Sequence, residues 1–165
     1  HHSHYKKPPT MNQEELMREA IRLASANVEN GGGPFGAVIA RGGEIIATGV
    51  NRVTANCDPT AHAEVSAIRA AAQKLGTFNL SGCEIYSSCE PCPMCLGAIY
   101  WARLDRLFYG NTKADAARIG FDDAFIYKEL ALPLSERTLR AEQLLGKEAI
   151  ATFEAWEQKT DKTPY

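Results

Sequence analysis

The sequence contains no uninterrupted run of about eighteen apolar residues, so it predicts no transmembrane helix. Its amino end lacks the apolar core of a secretory signal, and we therefore expect a cytoplasmic protein. A basic excess is also missing, because the net charge is −2 and the sequence pI is about 6.1. Proteins that bind phosphate backbones usually carry such an excess. The expected partner is a small molecule rather than a membrane or a nucleic acid.

Histidine is scarce, with four residues in the chain. Three of them, His1, His2 and His4, crowd at the amino end as in the stub of an affinity tag. We expect residues 1–10 to be a tag remnant and a disordered lead, and residues 11–165 to form one domain. His62 is then the one histidine left for chemistry.

Cysteine is present in an odd number, five, and three of these residues lie within seven positions. With no export signal, this distribution argues against a disulfide framework. It favours metal binding or redox chemistry. The five residues are Cys57, Cys83, Cys89, Cys92 and Cys95.

The apolar periodicity predicts alternating helices and strands. A capping box at Thr10 or Asn12 opens a first helix, whose apolar face includes Ile21 and Val28 and which stops at Asn30–Pro34. Two apolar runs joined across Gly42-Gly43 predict a β-hairpin. The later predicted elements are a helix from about Asp58–Thr60, a strand Glu84–Ser88, a helix Pro93–Arg103, a strand Leu104–Tyr109, a short helix Asp115–Ile119, a strand Arg137–Leu144, a helix Glu148–Lys159 and an exposed tail Thr160–Tyr165.

The middle of this series reads strand, helix, strand, which is a parallel crossover unit. Together with the antiparallel hairpin it predicts an α/β fold. We expect a three-layer α/β/α arrangement around a central mixed five-stranded sheet.

One constellation carries the chemistry: His62-Ala63-Glu64, followed later by Pro91-Cys92-Pro93-Met94-Cys95. Imidazole and thiolate are ligands that zinc prefers, and a catalytic zinc keeps three protein ligands with a fourth place for water. Cys92 and Cys95 are three residues apart, so they share a face on the first turn of a helix. We predict that His62, Cys92 and Cys95 hold the metal. Glu64 lies about 200° around an ideal helix from His62, which argues against Glu64 as a fourth ligand. Splayed side chains in the first turn would let Glu64 reach the metal-bound water.

Each piece alone has an ordinary alternative. A C-x-x-C pair is also the pattern of a redox dithiol, and a histidine at a helix start is commonly a cap. Cys89 offers a third sulfur, which we interpret as structural because the fourth cysteine of an iron–sulfur run is absent. Cys57 and Cys83 are expected to be buried small apolar residues.

The H-x-E and P-C-x-x-C motifs resemble those of the cytidine deaminase superfamily, and within it the bacterial guanine deaminases. The resemblance extends from Met11 to Tyr165. It is carried by four stretches: residues 32–38, 58–64, 88–95 and 120–123. It implies hydrolytic deamination of guanine to xanthine and ammonia, with one Zn²⁺ per subunit carrying a bound water or hydroxide and Glu64 shuttling protons.

The resemblance also implies substrate contacts. Asn51 would hydrogen-bond the purine, Asp123 would accept an N–H from the base, Phe35 and Trp101 would form apolar walls, and Tyr165 would help to close the pocket. It further implies a homodimer in which residues 135–165 cross to the partner subunit, with Asn111–Leu134 as the crossover.

Three rival interpretations stay open at this point. The substrate could be another nucleobase or nucleoside, such as guanosine or cytosine, or an adenosine in tRNA. A protein of another class, a non-catalytic structural zinc protein, would use the same ligands. Three good ligands beside a free carboxylate argue for an open, catalytic site.

Overall fold

The computed structural model describes residues 10–165, in two compact units, 10–124 and 125–165. The expected tag remnant and lead comprise residues 1–10, of which 1–9 lie outside the described residues. Within residues 10–165 no helix is both long and apolar enough to span a bilayer.

The first unit contains four strands and most of the helices. Its strands are β1 (Gly36–Arg41), β2 (Glu44–Val50), β3 (Glu84–Cys89) and β4 (Arg106–Asn111). Its helices are α1 (Gln13–Glu29), α2 (Val53–Asn56), α3 (Ala63–Leu75), α4 (Pro93–Trp101) and α5 (Lys113–Arg118), with α6 (Ala124–Ala131) beginning at its end.

The strands form one mixed sheet in the order β2-β1-β3-β4. β1 pairs antiparallel with both β2 and β3, whereas β3 and β4 are parallel. The predicted hairpin and the parallel crossover through α4 are therefore confirmed. The predicted number of strands is wrong, because the described residues form four strands rather than five.

Helices cover both faces of the sheet. On one face Ala37, Ile39 and Ile85 pack with buried residues of α3 and α4, among them Ala67 and Ile99. The opposite face packs against α1, and its buried residues are Leu16, Ala20, Val38, Ala40 and Tyr86. The predicted α/β/α layering follows from this alternation along β1.

The first helix begins as the sequence predicts, with Asn12 as its N-cap. The Asn12 side chain accepts the Glu15 backbone N–H at 2.8 Å, and the Glu15 carboxylate accepts the Asn12 N–H at 3.1 Å. Its buried face differs from the expected one, because Ile21 is 46% and Val28 53% exposed.

α3 begins at Ala63, later than predicted. The Asp58 carboxylate accepts both the Thr60 backbone N–H and the Thr60 hydroxyl, at 2.8 and 2.7 Å. This local turn uses Asp58 before it can cap the helix, so His62 becomes the N-cap instead.

α3 approaches β2 most closely at Gly49, the position in the strand that has no side chain. A Cβ atom on Gly49 would overlap the Ala63 carbonyl oxygen and the Ala67 backbone nitrogen. Glycine at this position lets the first turn of α3 rest directly on the strand.

The second unit contains the rest of α6, a 3₁₀ turn at Leu134–Glu136 and α7 (Gly146–Gln158). Residues 137–144, predicted as a fifth strand, pair with no strand among the described residues. Arg137 explains part of this, because its guanidinium donates to the carbonyls of Glu129, Leu130 and Leu132. No residue from 125 to 165 is buried.

Candidate active site

The candidate site begins at two helix N-termini. His62 is the N-cap of α3, and Cys92 is the N-cap of α4 with Pro93 in its first turn. Cys95 follows Cys92 by one turn and is buried. Proline suits this place because its missing N–H would have no helical partner and its φ is already helical. The two helix starts bring the three predicted ligands together.

The three donor atoms fit one tetrahedral ion. His62 Nδ1 lies 3.5 Å from Cys92 Sγ and 3.5 Å from Cys95 Sγ, and all three atoms lie within 4.8 Å of one another. Zn–N and Zn–S bonds of ordinary length at a tetrahedral angle separate N from S by about 3.6 Å. The spacing therefore matches that of a zinc site with three protein ligands.

The pKa shifts of the three predicted ligands also favour a bound divalent cation. Hydrogen bonds from Cys95 and His62 lower the pKa of the Cys92 thiol to about 4, while the neighbouring Cys92 sulfur raises the pKa of Cys95. The hydrogen bond to Cys92 also raises the pKa of His62. The first thiolate forms readily and the second is opposed by like charge, a conflict that a divalent cation removes.

Glu64 lies beside these ligands without joining them. Its carboxyl is 7% exposed, and the cluster of described residues that can hold a metal contains His62, Cys92 and Cys95 but not Glu64. Burial raises the pKa of Glu64 to about 7, and the Cys92 thiolate adds to the rise. A carboxyl with this pKa can both accept and release a proton near neutral pH.

Asn51 follows β2 directly. Its Oδ1 accepts the Val53 backbone N–H at 3.1 Å, which leaves its amide nitrogen as the donor. Its backbone N–H donates to the Phe35 carbonyl at 3.2 Å, so Asn51 and Phe35 are linked. Two of the predicted substrate contacts therefore form one connected group.

Asp123 has a carboxylate oxygen without a partner. Among the described residues, its Oδ1 is the buried side-chain oxygen or nitrogen atom that makes no hydrogen bond. Burial raises the pKa of Asp123, and the Cys92 thiolate raises it further. The neighbouring Asp122 accepts the backbone N–H of Ala124, the first residue of α6, at 3.0 Å. The two adjacent carboxylates thus differ, and Asp123 is the one that has a buried acceptor oxygen without a hydrogen bond.

The segment that carries Asp123 is fixed by contacts that the sequence analysis missed. Glu90 accepts the Lys113 backbone N–H at 3.1 Å, and its carboxylate lies 3.5 Å from the Lys113 ammonium. The Phe121 ring packs edge-on against Phe35, with ring centroids 5.0 Å apart. Glu90 directly precedes the P-C-x-x-C motif and lies within the stretch 88–95, and that position was the available signal.

α4 carries Trp101 away from the metal cluster, whereas Tyr165 belongs to the other unit of the chain. Trp101 ends α4, and the six residues that separate it from Cys95 rise about 9 Å along a helix. Its side chain is 64% exposed. Tyr165 belongs to the second unit, where its side chain is 75% exposed.

The other three cysteines divide by environment. Cys83 is buried as predicted, but Cys57 is exposed, and the prediction of burial is wrong there. Cys57 is the left-handed C-cap of α2, with φ of 49°, which turns it away from any core. Cys89 is buried and donates its thiol to the Thr112 carbonyl at 3.8 Å, and burial raises its pKa to about 11.

Comparisons with known proteins agree with this geometry. Residues 10–111 match the family model described as the cytidine and deoxycytidylate deaminase zinc-binding region. The chain is 53% identical to guanine deaminase from Bacillus subtilis over 94% of its own length and 100% of the relative. It is 41% identical to the tRNA-specific adenosine deaminase of Aquifex aeolicus, over 60% of this chain and 66% of that protein.

The fold agrees as well. The X-ray structure of guanine deaminase from Bacillus subtilis superimposes with a TM-score of 0.91 at 52% sequence identity, covering 94% of this chain and 99% of that one. The family model covers more than half of the chain and includes His62, Cys92 and Cys95. The chain therefore belongs to the cytidine and deoxycytidylate deaminase family, and its cofactor is zinc.

Proposed function

We propose that this protein catalyses the hydrolytic deamination of guanine to xanthine and ammonia. The observation that carries the reaction type is a buried carboxyl, Glu64, beside three donor atoms spaced for one zinc ion. The substrate is inferred from the relative named guanine deaminase, which is 53% identical over its whole length.

In this proposal His62, Cys92 and Cys95 hold the ion. Bound zinc supplies a Lewis acid that lowers the pKa of water to about 7. Glu64 would accept one proton from the attacking water and pass it to the ring nitrogen, and would then carry the second proton, from the new hydroxyl at C2, to the leaving amine. A C–O bond forms at C2 of guanine, the C–N bond breaks, and one water is consumed for each ammonia released. Burial of the Glu64 carboxyl raises its pKa and so favours its role as a carrier that both takes up and releases protons.

We propose that Asp123 and Asn51 hold the purine. Asp123 offers a buried carboxylate oxygen that no group of the described chain satisfies, and a ring or amino N–H of guanine would satisfy it. Asn51 keeps its amide N–H groups available because its own oxygen is held by Val53. Such paired donors and acceptors reject bases that lack the matching groups.

Phe35 is proposed as an apolar wall because its ring is held edge-on against Phe121. Trp101 is proposed as a second wall and Tyr165 as the residue that closes the pocket. Both side chains are exposed in the single chain, which supports a pocket that is completed by a second copy of the protein.

We propose a homodimer in which residues 135–165 exchange with the partner subunit. The support is that no residue from 125 to 165 is buried, although this unit contains many large apolar side chains. Those more than 50% exposed include Phe125, Leu130, Leu134, Leu139, Leu144, Leu145 and Phe153. A free surface of this kind marks an interface.

Mixed dimers test the exchange. A Glu64→Gln chain with its tail intact is co-expressed with a Glu64 chain that ends before Tyr165, each inactive alone. If tails are exchanged, each mixed dimer holds one complete site of two, so the unsorted co-expressed protein regains about a quarter of the wild-type activity and purified mixed dimers about half. No recovery in mixed dimers purified by two tags contradicts the exchange.

We also propose that the protein works in the cytoplasm. All five cysteines are free thiols, and the site needs two of them as thiolates. A reducing compartment keeps thiols in that state.

An ammonia-release screen tests the function. The purified zinc protein is assayed with guanine, guanosine, adenine, cytosine, cytidine and a tRNA substrate. We expect guanine to have the highest kcat/KM by at least about 100-fold, because unmatched polar groups in the site penalise the other bases. Faster turnover of guanosine or of adenosine in tRNA contradicts the substrate, and no turnover with full zinc content points to a structural zinc protein.

A further inference from the structure

The buried face of α1 contains one polar residue. Its buried positions are Leu16, Ala20, Ala24 and Asn27, and Asn27 is 8% exposed. An amide in such a place is costly unless it is hydrogen-bonded, so its partners show what the asparagine does there.

Both N–H groups of the Asn27 amide are used. Its Nδ2 donates to the Gly33 carbonyl at 2.7 Å and to the Asn51 carbonyl at 2.9 Å. These carbonyls belong to the two segments at the open end of the β-hairpin, one just before β1 and one just after β2, where Gly36 pairs with Val50. One side chain therefore joins two loops that are distant in sequence.

The contact is also sterically tight. The Gly32 N–H donates to the Asn27 backbone carbonyl at 2.8 Å. A Cβ atom on Gly32 would lie 2.9 Å from Asn27 Cγ, which is too close for two carbons. Glycine in this loop lets the chain close over the Asn27 side chain.

The two loops carry proposed substrate contacts. Phe35 follows Gly33 by two residues, and the Asn51 N–H donates to the Phe35 carbonyl at 3.2 Å. Asn27 thus holds the backbone of Asn51 from α1, while Val53 holds the side-chain oxygen of Asn51 from the other direction.

We infer that Asn27 is a positioning residue for the substrate: its amide fixes the backbone of Asn51 and the Gly33–Phe35 loop, and so aims the Asn51 amide at the base. The inference rests on the proposed function for the identity of the base. The connection between the two loops rests on the hydrogen bonds alone.

Two variants test it. Asn27→Asp keeps the shape but replaces both donors with an oxygen that faces two carbonyls, and Asn27→Ala removes the group. Because two hydrogen bonds are lost, we expect KM for guanine to rise about 10-fold, with kcat within about twofold and zinc content unchanged. Asn30→Ala is the matched control, since Asn30 is exposed at the end of the same helix. An equal fall in kcat with unchanged KM overturns the inference.

A double-mutant cycle separates positioning from general support of the fold. If Asn27 acts through Asn51, then Asn27→Asp adds less than about twofold to the KM of an Asn51→Ala enzyme. Full additivity of the two effects contradicts action through Asn51.

Hydrogen exchange provides a readout that does not need turnover. In zinc-loaded Asn27→Asp, backbone amides of residues 31–36 and 51–53 should exchange at least about 10-fold faster than in wild type, while those of β3 stay unchanged. Unchanged exchange in both loops overturns the inference even if guanine is the substrate. Faster exchange in a protein that is inactive on guanine instead refutes the proposed function and leaves the loop anchor supported.

Discussion

Replacement of Glu64 by glutamine separates proton transfer from metal binding. Glutamine has nearly the same shape and keeps a polar group, but it cannot accept a proton from water. Glu64 is 7% exposed and lies outside the metal-holding cluster, so the substitution leaves all three donor atoms in place. The structure predicts full zinc content with greatly reduced catalysis.

The expected loss of kcat follows from the role of Glu64 as a general acid–base. A positioned general acid–base contributes about 10²- to 10⁴-fold to the rate. Since Glu64 is proposed to act in more than one proton transfer, we expect kcat to fall by at least about 1,000-fold, which corresponds to about 4 kcal/mol of transition-state stabilisation. KM should change little, because Asn51 and Asp123 are the residues proposed to hold the base.

The assay measures ammonia release and zinc per chain on the same preparation, with the melting temperature as a check of folding. Glu29→Gln is the control, because Glu29 is exposed at the end of α1. A Glu64→Gln protein that loses zinc or unfolds would make Glu64 a structural ligand. A protein that keeps most of its kcat would remove it from the mechanism.

Three further predictions follow from the described geometry. Cys95→Ser should lower zinc from about one ion per chain to a small fraction when measured by atomic absorption, because a hydroxyl is a poor substitute for a thiolate ligand; retained zinc contradicts the ligand set. Leu16→Ala, at a position 2% exposed, should lower the free energy of unfolding by about 2–5 kcal/mol in urea titrations, and a change below about 1 kcal/mol would mean that α1 is not packed on the sheet as described. In the zinc-free chain the folded pKa of Glu64 is about 7 against an ordinary 4.5, so the folded state binds more protons between these values and stability should fall by about 3 kcal/mol as pH rises through them. Glu64→Gln should abolish this component, and equal pH profiles for the two proteins would refute it.

The sequence predicts those parts of the fold whose signals are local. The Asn12 cap, the hairpin across Gly42-Gly43 and the start of a helix at Pro93 each depend on a few neighbouring residues, and the structure confirms all three. The metal cluster was also predictable, because His62, Cys92 and Cys95 belong to types that zinc selects and stand at helix starts.

Other features depend on partners that lie far away in the chain. Residues 137–144 were predicted as a strand, but a strand needs a neighbouring strand to pair with its backbone. The Arg137 side chain instead donates to carbonyls at the carboxyl end of α6 and just beyond it. The start of α3 was predicted too early, because the Asp58 carboxylate accepts the Thr60 N–H and does not cap the helix. Asn27 was passed over although it continues the spacing of Leu16, Ala20 and Ala24, a pattern that places a polar residue on a buried face.

The missing side chain at Gly49 has a consequence for altering this enzyme. Backbone of β2 touches the turn that begins with Ala63, between His62 and Glu64, so the height of both groups above the sheet is set by main-chain contact. Even alanine at Gly49 would lift that turn and shift the imidazole and the carboxyl together, without touching either. Attempts to change the pocket for a new base should therefore keep Gly49 and vary the side chains proposed to contact the base.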